Sequence, residues 1–272
     1  MANIKKIGIC QLRVSSDKPQ NIINAEAYVK KASQAGCHLV ILPEMFNCPY
    51  QTELFPKYAE YYPDGETIAW LSKIAAQEGI VVVGGSIPEH ATDNKIYNTS
   101  FIFDEKGTLV GRHRKMHLCD VHVDGSPAVQ ESSTLEPGAD ITVVNAGGLN
   151  FGVGICYDIR FPELSRSMVL NGATVLIFPA AFGIVTGSAH WELLMRSRAV
   201  DNQAFVIGAA PARTSGAEYQ TWGHSMIVDP WGNIVATTDE KETLLIAEID
   251  IEMTKDIRSK LPLLKHRRPH FY

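Results

Sequence analysis

Residues 152–163 read GVGICYDIRFPE. The apolar run 151–155 predicts a buried strand with Cys156 at its end, and Pro162 marks a helix start just beyond polar Asp158 and Arg160. A thiol at such a handover stands at a sheet rim near the positive end of a helix, where its pKa is lowered and thiolate is favoured. Cys156 also reads as one more small, buried apolar residue, the usual fate of a free cysteine.

Outward from this stretch the chain repeats itself. GICQLR around Cys10 recurs as GICYDIR around Cys156, and LVILPE ending at Glu44 recurs as VLIFPA ending at Ala180. VVVGGSIP (81–88) is echoed by FVIGAAPA (205–212), and the hairpin turn DEKG by Asp229-Pro230-Trp231-Gly232. Each half predicts a strand–helix–strand–helix–strand unit plus a hairpin. The fold class is therefore α/β, a four-layer αββα sandwich of two mixed sheets about an internal pseudo-twofold axis. On this alignment Cys10 is equivalent to Cys156 but lacks its polar neighbours, so Cys10 reads as structural and Cys156 as the candidate nucleophile. The first half resolves into a strand at 7–14, a helix at 20–35, a strand at 39–42, a helix at 66–78 and a strand at 80–84. A hairpin pairs 97–103 with 108–112. Residues 116–138 show little periodicity, and so long a loop in a compact domain is usually functional.

Composition bounds the partners. The 272 residues suit a single domain, and 25 basic against 30 acidic residues leave a net charge of −5 without long like-charge blocks. No basic face for nucleic acid or an anionic membrane is expected, and no apolar run approaches the ~18 residues of a membrane span. Five cysteines form an odd set without CxxC pairs, in a chain opening MANIKKIGIC, which has no signal-peptide core. A cytoplasmic, reduced protein is expected. The stretch 260–272, with Pro262, Pro269, Phe271 and Tyr272, is apolar and proline-punctuated, and is expected to pack on the body or on a partner subunit.

Two more residues complete a chemistry. Glu44 closes a strand covered on both faces, where desolvation favours the neutral acid and raises its pKa towards the range of a general base; it also reads as a cap or a surface charge. Lys115, in the run 111–117, begins the long loop and also reads as one cation of a solvated basic stretch. Together the three are the types that acyl transfer to a thiol requires. A carboxylate takes the proton from thiol or water, a thiolate attacks a carbonyl carbon, and an ammonium stabilises the oxyanion.

LPEMF around Glu44, HRKMHL around Lys115 and GICYDIRFPE around Cys156 resemble, in order, the three signature blocks of the nitrilase superfamily of carbon–nitrogen hydrolases. The resemblance runs through nearly all 272 residues. It implies the αββα fold, with Glu44 as general base, Lys115 stabilising the tetrahedral intermediate and Cys156 forming a thioester. It also implies a second glutamate, Glu131, in the long loop, and no metal or organic cofactor. FNCPY, GGSIPE, YNTS, GSAHWELLMRSRAVDNQ, WGHSMIVDPWG and LPLLKHRR are similar to the omega-amidase branch. That likeness implies hydrolysis of the terminal amide of small dicarboxylic acid monoamides such as 2-oxoglutaramate and succinamate, and a homodimer or higher homo-oligomer.

A monoamide needs a group that fixes its distant carboxylate. Arg160 offers a planar fork, or else pairs locally with Asp158 or Glu163. Tyr50 and Thr186 match omega-amidase substrate loops, the N–H of Tyr157 is a second oxyanion donor, and Phe182 is either a pocket wall or core. Rival readings use His190 as the base of a Cys–His hydrolase, or His113, His117, Cys119 and His122 as metal ligands. Others take the chain as a binding protein that kept the fold, or as an amidase for deaminated glutathione or an N-carbamoyl acid.

Overall fold

The computed structural model describes residues 2–271. The first half runs β1 (Ile4–Gln11), α1 (Lys18–Gln34), β2 (Leu39–Ile41), α2 (Phe55–Tyr58), β3 (Glu60–Tyr61), α3 (Glu66–Glu78) and β4 (Val81–Val83). There follow β5 (Ile87–His90), β6 (Ile96–Phe103), β7 (Leu109–Arg114) and a small ribbon of β8 (Asp120–Val121) and β9 (Val129–Gln130). The second half runs β10 (Thr142–Ala146), β11 (Leu149–Val153), α4 (Pro162–Leu170), β12 (Val175–Pro179), α5 (Ile184–Asn202) and β13 (Phe205–Ala209). It ends with β14 (Met226–Val228), β15 (Ile234–Thr237), β16 (Thr243–Asp250), α6 (Glu252–Lys260) and α7 (Leu263–His266).

Both sheets are mixed. One is ordered β16-β1-β2-β4-β6-β5-β3 with β7 also on β6, and the other β10-β11-β12-β13-β14-β15. In each, three central parallel strands are flanked by antiparallel neighbours. Continuous apolar runs follow from burial on both faces. Leu39 and Ile41 of β2 point between the sheets, towards Phe151, Val175 and Ile177 of the other sheet, whereas Val40 packs under α1 and α3 with Val29 and Leu71. Across the molecule Leu176 and Phe178 pack under α4 and α5 with Met168 and Trp191. The four layers are thus helix, sheet, sheet, helix. At matching places on the central strands, an added Cβ on Gly84 would meet Leu71 at 2.6 Å, and one on Gly208 would meet Trp191 at 2.3 Å, so each glycine admits a helix close to its sheet.

The ladders correct one reading of the repeat. Ile7 pairs with Leu39, and Phe151 with Val175, while LVILPE and VLIFPA match Leu39 to Val175. Counting five residues on from Ile7 and from Phe151 makes Leu12, not Cys10, the equivalent of Cys156. Cys10, fully buried within β1, answers to Gly154. The two GIC triplets are therefore offset by two residues. The other echoes hold in register, since Val81 and Phe205 pair with Leu39 and Val175 respectively. Both hairpin turns close alike: Gly107 N–H donates to Asp104 O and Gly232 N–H to Asp229 O, each at 2.9 Å.

Strand boundaries shift as well. β1 covers 4–11 rather than 7–14 because β16 pairs with it along that whole length, and β11 stops at Val153, three residues before Cys156. At the C-terminal end Leu264 packs against the α4–α5 layer and the Gln203 side chain donates to Leu261 O, which ties down the beginning of the tail. Phe271 is 70% exposed under the Arg268 guanidinium, so the tail does not pack on the body along its whole length; Tyr272 lies outside the described residues.

Candidate active site

Strand ends from both halves meet in one buried cluster. Leu42 and Pro43 lead from β2 to Glu44, and Met45 follows with φ 50°. Lys115 stands one residue beyond β7, its N–H donating to Asn98 O and its carbonyl accepting from Gly138 N–H, both at 2.8 Å. In the other half Cys156 opens a 3₁₀ turn, Cys156–Arg160, with φ 47°. Left-handed backbone at a non-glycine residue costs on the order of 1–3 kcal/mol and persists only where its surroundings enforce it. Here Asp158 does so. Its Oδ2 accepts from Ile155 N–H at 2.8 Å and meets His113 Nε2 at 3.1 Å, while Oδ1 accepts from His117 N–H at 2.9 Å and meets His117 Nδ1 at 2.8 Å. Burial alone would raise the Asp158 carboxyl, but the hydrogen bonds from His113 and His117 outweigh it and hold the group well below the carboxylate range.

The Lys115 ammonium donates to Glu44 Oε1 at 2.9 Å and to Glu131 Oε1 at 2.8 Å, with all three side chains wholly buried. Asn98 Nδ2 donates to the same Glu44 oxygen at 2.9 Å. Glu131 opens a 3₁₀ turn after the β8–β9 ribbon, and also accepts from Tyr50 OH at 2.8 Å and from Cys119 N–H at 2.7 Å. The Cys156 thiol and the Glu44 carboxyl are close enough to act on each other's titration, and Glu44 Oε2 is buried without a hydrogen-bond partner.

Burial is the first cause of a raised Glu44 pKa, opposed by Lys115 and reinforced by Glu131. For Lys115 burial acts downward, but the two carboxylates outweigh it and hold the ammonium charged. The lowered thiol pKa expected of Cys156 is not found. Burial first, and the neighbouring Glu44 second, push it well above its ordinary value, with Lys115 opposing. The 3₁₀ turn separates Cys156 from α4, so the helix does not lower its pKa, and the thiol and the neighbouring Glu44 carboxyl are both pushed upward.

Cys156 opens into a cavity of about 230 Å³ walled by Tyr157, Phe182, Thr186 and Tyr219, with Arg160 and His190 also lining it. Arg160 forms no ion pair with Asp158 or Glu163 among the described residues. Its guanidinium lies 4.8 Å from the Phe182 ring centre and 5.5 Å from that of Tyr157, meets His190 Nδ1 at 3.3 Å, and keeps a buried, unpartnered Nε. His190 is thereby engaged with the Arg160 guanidinium. The proposed metal histidines are also engaged, since His113 and His117 both serve Asp158, and no group of three or more His, Cys, Asp or Glu among the described residues is placed to hold a metal ion. No helix among them is long and apolar enough to cross a membrane.

Sequence reasoning left out Asn98, Cys119, Asp158 and Tyr219 as working parts of this cluster. Asn98 lies in YNTS and Asp158 in the opening motif, so the signal was present for both. Tyr219 sits in an unpatterned loop, where its ring stacks on Tyr50 at 4.8 Å and its OH donates to Ala181 O at 2.8 Å.

A buried thiol and carboxyl with an adjacent locked ammonium, on an αββα frame, are the groups of a hydrolase. Comparison agrees. Residues 6–259 match the carbon–nitrogen hydrolase family model. The chain is 47% identical to omega-amidase NIT2-A of Xenopus laevis and 44% identical to omega-amidase NIT2 of Mus musculus, each over 98% of this chain and 96% of the relative. The crystal structure of Saccharomyces cerevisiae Nit3, a member of branch 10 of the nitrilase superfamily, superposes with a TM-score of 0.90 at 43% identity over 97% of both chains. The chain belongs to the carbon–nitrogen hydrolase family, the nitrilase superfamily. Within it the chain is an omega-amidase-like amidase.

Proposed function

We propose that the chain hydrolyses the terminal amide of small dicarboxylic acid monoamides, such as succinamate and 2-oxoglutaramate, through a thioester on Cys156. The observation that carries this reading is one cavity lined by both Cys156 and Arg160, whose guanidinium forms no ion pair among the described residues and keeps an unpartnered Nε. The thiol proton passes to Glu44 as sulfur attacks the amide carbon. Lys115 and the N–H of Tyr157 hold the oxyanion, the C–N bond breaks, and Glu44 returns the proton to the departing ammonia. Water then attacks the thioester, giving one proton to Glu44, which hands it to sulfur as the C–S bond breaks. Glu131 keeps Lys115 charged and aimed, with Tyr50 and Cys119 holding Glu131 in turn. Thr186 and Phe182 shape the acyl site.

In this reading the chain acts in the cytoplasm as a homodimer. The exposed apolar side chains of Leu193, Val200 and Trp231 offer a contact face, and a monomeric sedimentation profile removes the dimer.

Ammonia release over succinamate, glutaramate, 2-oxoglutaramate, a nitrile and an N-carbamoyl amino acid, with Cys156→Ala as the blank, tests the substrate class. Arg160→Met is expected to raise KM for the monoamides by roughly 100-fold, the loss of a charge-assisted bidentate contact worth ~2–3 kcal/mol, with kcat far less affected. Equal KM for the variant and the parent would take Arg160 out of the site.

A further inference from the structure

A second cavity, of about 370 Å³, lies on the other side of the stacked Tyr50 and Tyr219 rings. Those two rings line both spaces. The catalytic pair is divided between them: Cys156 lines the 230 Å³ cavity and Glu44 the larger one. The dividing rings are anchored, Tyr50 OH on Glu131 and Tyr219 OH on Ala181 O. The larger cavity descends from exposed Ser15, Ser16 and Ser215 to a floor of buried Met45, Cys48 and Glu44.

We propose that this second cavity is the passage for the small neutral molecules of the reaction, releasing ammonia and admitting the hydrolytic water. The inference rests on the thioester reading above. An acyl chain reaching from Cys156 towards Arg160 lies across the smaller cavity, so water approaching from that side runs alongside the acyl group itself. Approach from the larger cavity avoids the acyl chain and reaches the carboxyl that must take a proton from water. The chemistry of the walls suits water. Hydroxyls of Ser15, Ser16 and Ser215 at the mouth exchange hydrogen bonds with it, and the lining continues past Met45 and Cys48 to the Glu44 carboxyl. Protons balance at the same place, because Glu44 gives the thiol's proton to ammonia and takes one from the incoming water.

The test fills the mouth and leaves the acyl site untouched. Ala217, half-buried in a loop at the mouth, lines the larger cavity and not the smaller. In Ala217→Trp, stopped-flow ammonia release with succinamate and intact-mass measurement of the acyl-enzyme separate the two chemical steps. The expected result is unchanged kcat/KM, deacylation slowed at least tenfold, kcat and KM lowered together and the thioester accumulating at steady state, with Ser215→Ala matching the parent. Unchanged deacylation overturns the proposal, as does a raised KM with normal deacylation, which would make this cavity the substrate's own entrance. Glu44→Gln, followed by intact mass, keeps the two readings apart. If no acyl adduct forms on Cys156 in any variant, the thioester reading has failed; an adduct that turns over at the parental rate in Ala217→Trp sinks the passage alone.

Discussion

The two halves of the molecule share a frame and divide the chemistry. LVILPE and VLIFPA lie in the same register of their sheets, yet the first ends in Glu44 and the second in Ala180. Five residues beyond Ile7 stands buried Leu12; at the matching point of the second half stands Cys156. The first half holds the buried Glu44 carboxyl and Lys115 ammonium, and the second holds the Cys156 thiol and Arg160. A repeat thus reproduces what packing demands, apolar alternation and close-approach glycines, and does not reproduce polar groups that are useful only once. Each buried charge has to be neutralised by its surroundings, and a second copy of Glu44 at position 180 would have no Lys115 to answer it.

The sharpest way to break this comparison is to remove the cation of the first half. Lys115→Met leaves Glu44 and Glu131 buried without their ammonium, so thermal unfolding should show a loss of ~3–5 kcal/mol. Ammonia release should fall by at least ~10²–10³, as expected when a transition-state donor is removed. Adding Glu131→Gln should recover much of the stability and none of the activity; recovery of both would reduce Lys115 to a structural ion.

In the second half the corresponding weight falls on Asp158, which holds the Cys156 turn. Asp158→Asn should slow acylation by roughly 10²-fold through misplacement of sulfur by about 1 Å, with KM for the monoamide little changed. A pH series of melting temperatures supplies a second readout. The folded carboxyl sits below its unfolded value, so its stabilisation is full above the ordinary Asp range, ~3.9, and is lost as pH falls towards the folded value. The gap between parent and variant should therefore be widest near neutrality and close below about pH 4. A gap independent of pH would mean that the ionised form carries no special role.

The smallest effect belongs to Cys10. Cys10→Ala removes one buried sulfur from β1 and should cost about 1 kcal/mol of stability, leaving ammonia release at the parental rate. Loss of activity there would restore the equivalence with Cys156 that the ladders deny.

Much of this was legible in the chain because it is written in local patterns. The apolar runs at 39–42 and 175–179, the turn chemistry of DEKG and DPWG, and three ordered motifs were enough to predict two sheets, their helices and the Glu44, Lys115 and Cys156 set. What escaped depends on contacts between distant segments. The offset of the two GIC triplets follows from strand pairing, not from their letters. The Cys156 thiol is pushed up rather than down because desolvation and Glu44, which comes 112 residues earlier in the chain, act on it together. Asp158, read only as a partner for Arg160, binds His113 and His117 across 45 and 41 residues and forms no ion pair with Arg160.

By itself, then, the sequence determined the layers, the repeat and the residue types of the reaction, since alternation, turn residues and short motifs act over a few neighbours. Only the tertiary structure decided that Lys115 bridges Glu44 and Glu131, that the Tyr50 and Tyr219 rings line both the Cys156 cavity and its larger neighbour, and that the Cys156 thiol and the Glu44 carboxyl act on each other in one buried cluster. Those are matters of distance and dielectric, and both are set by which strand ends the folded sheets bring together.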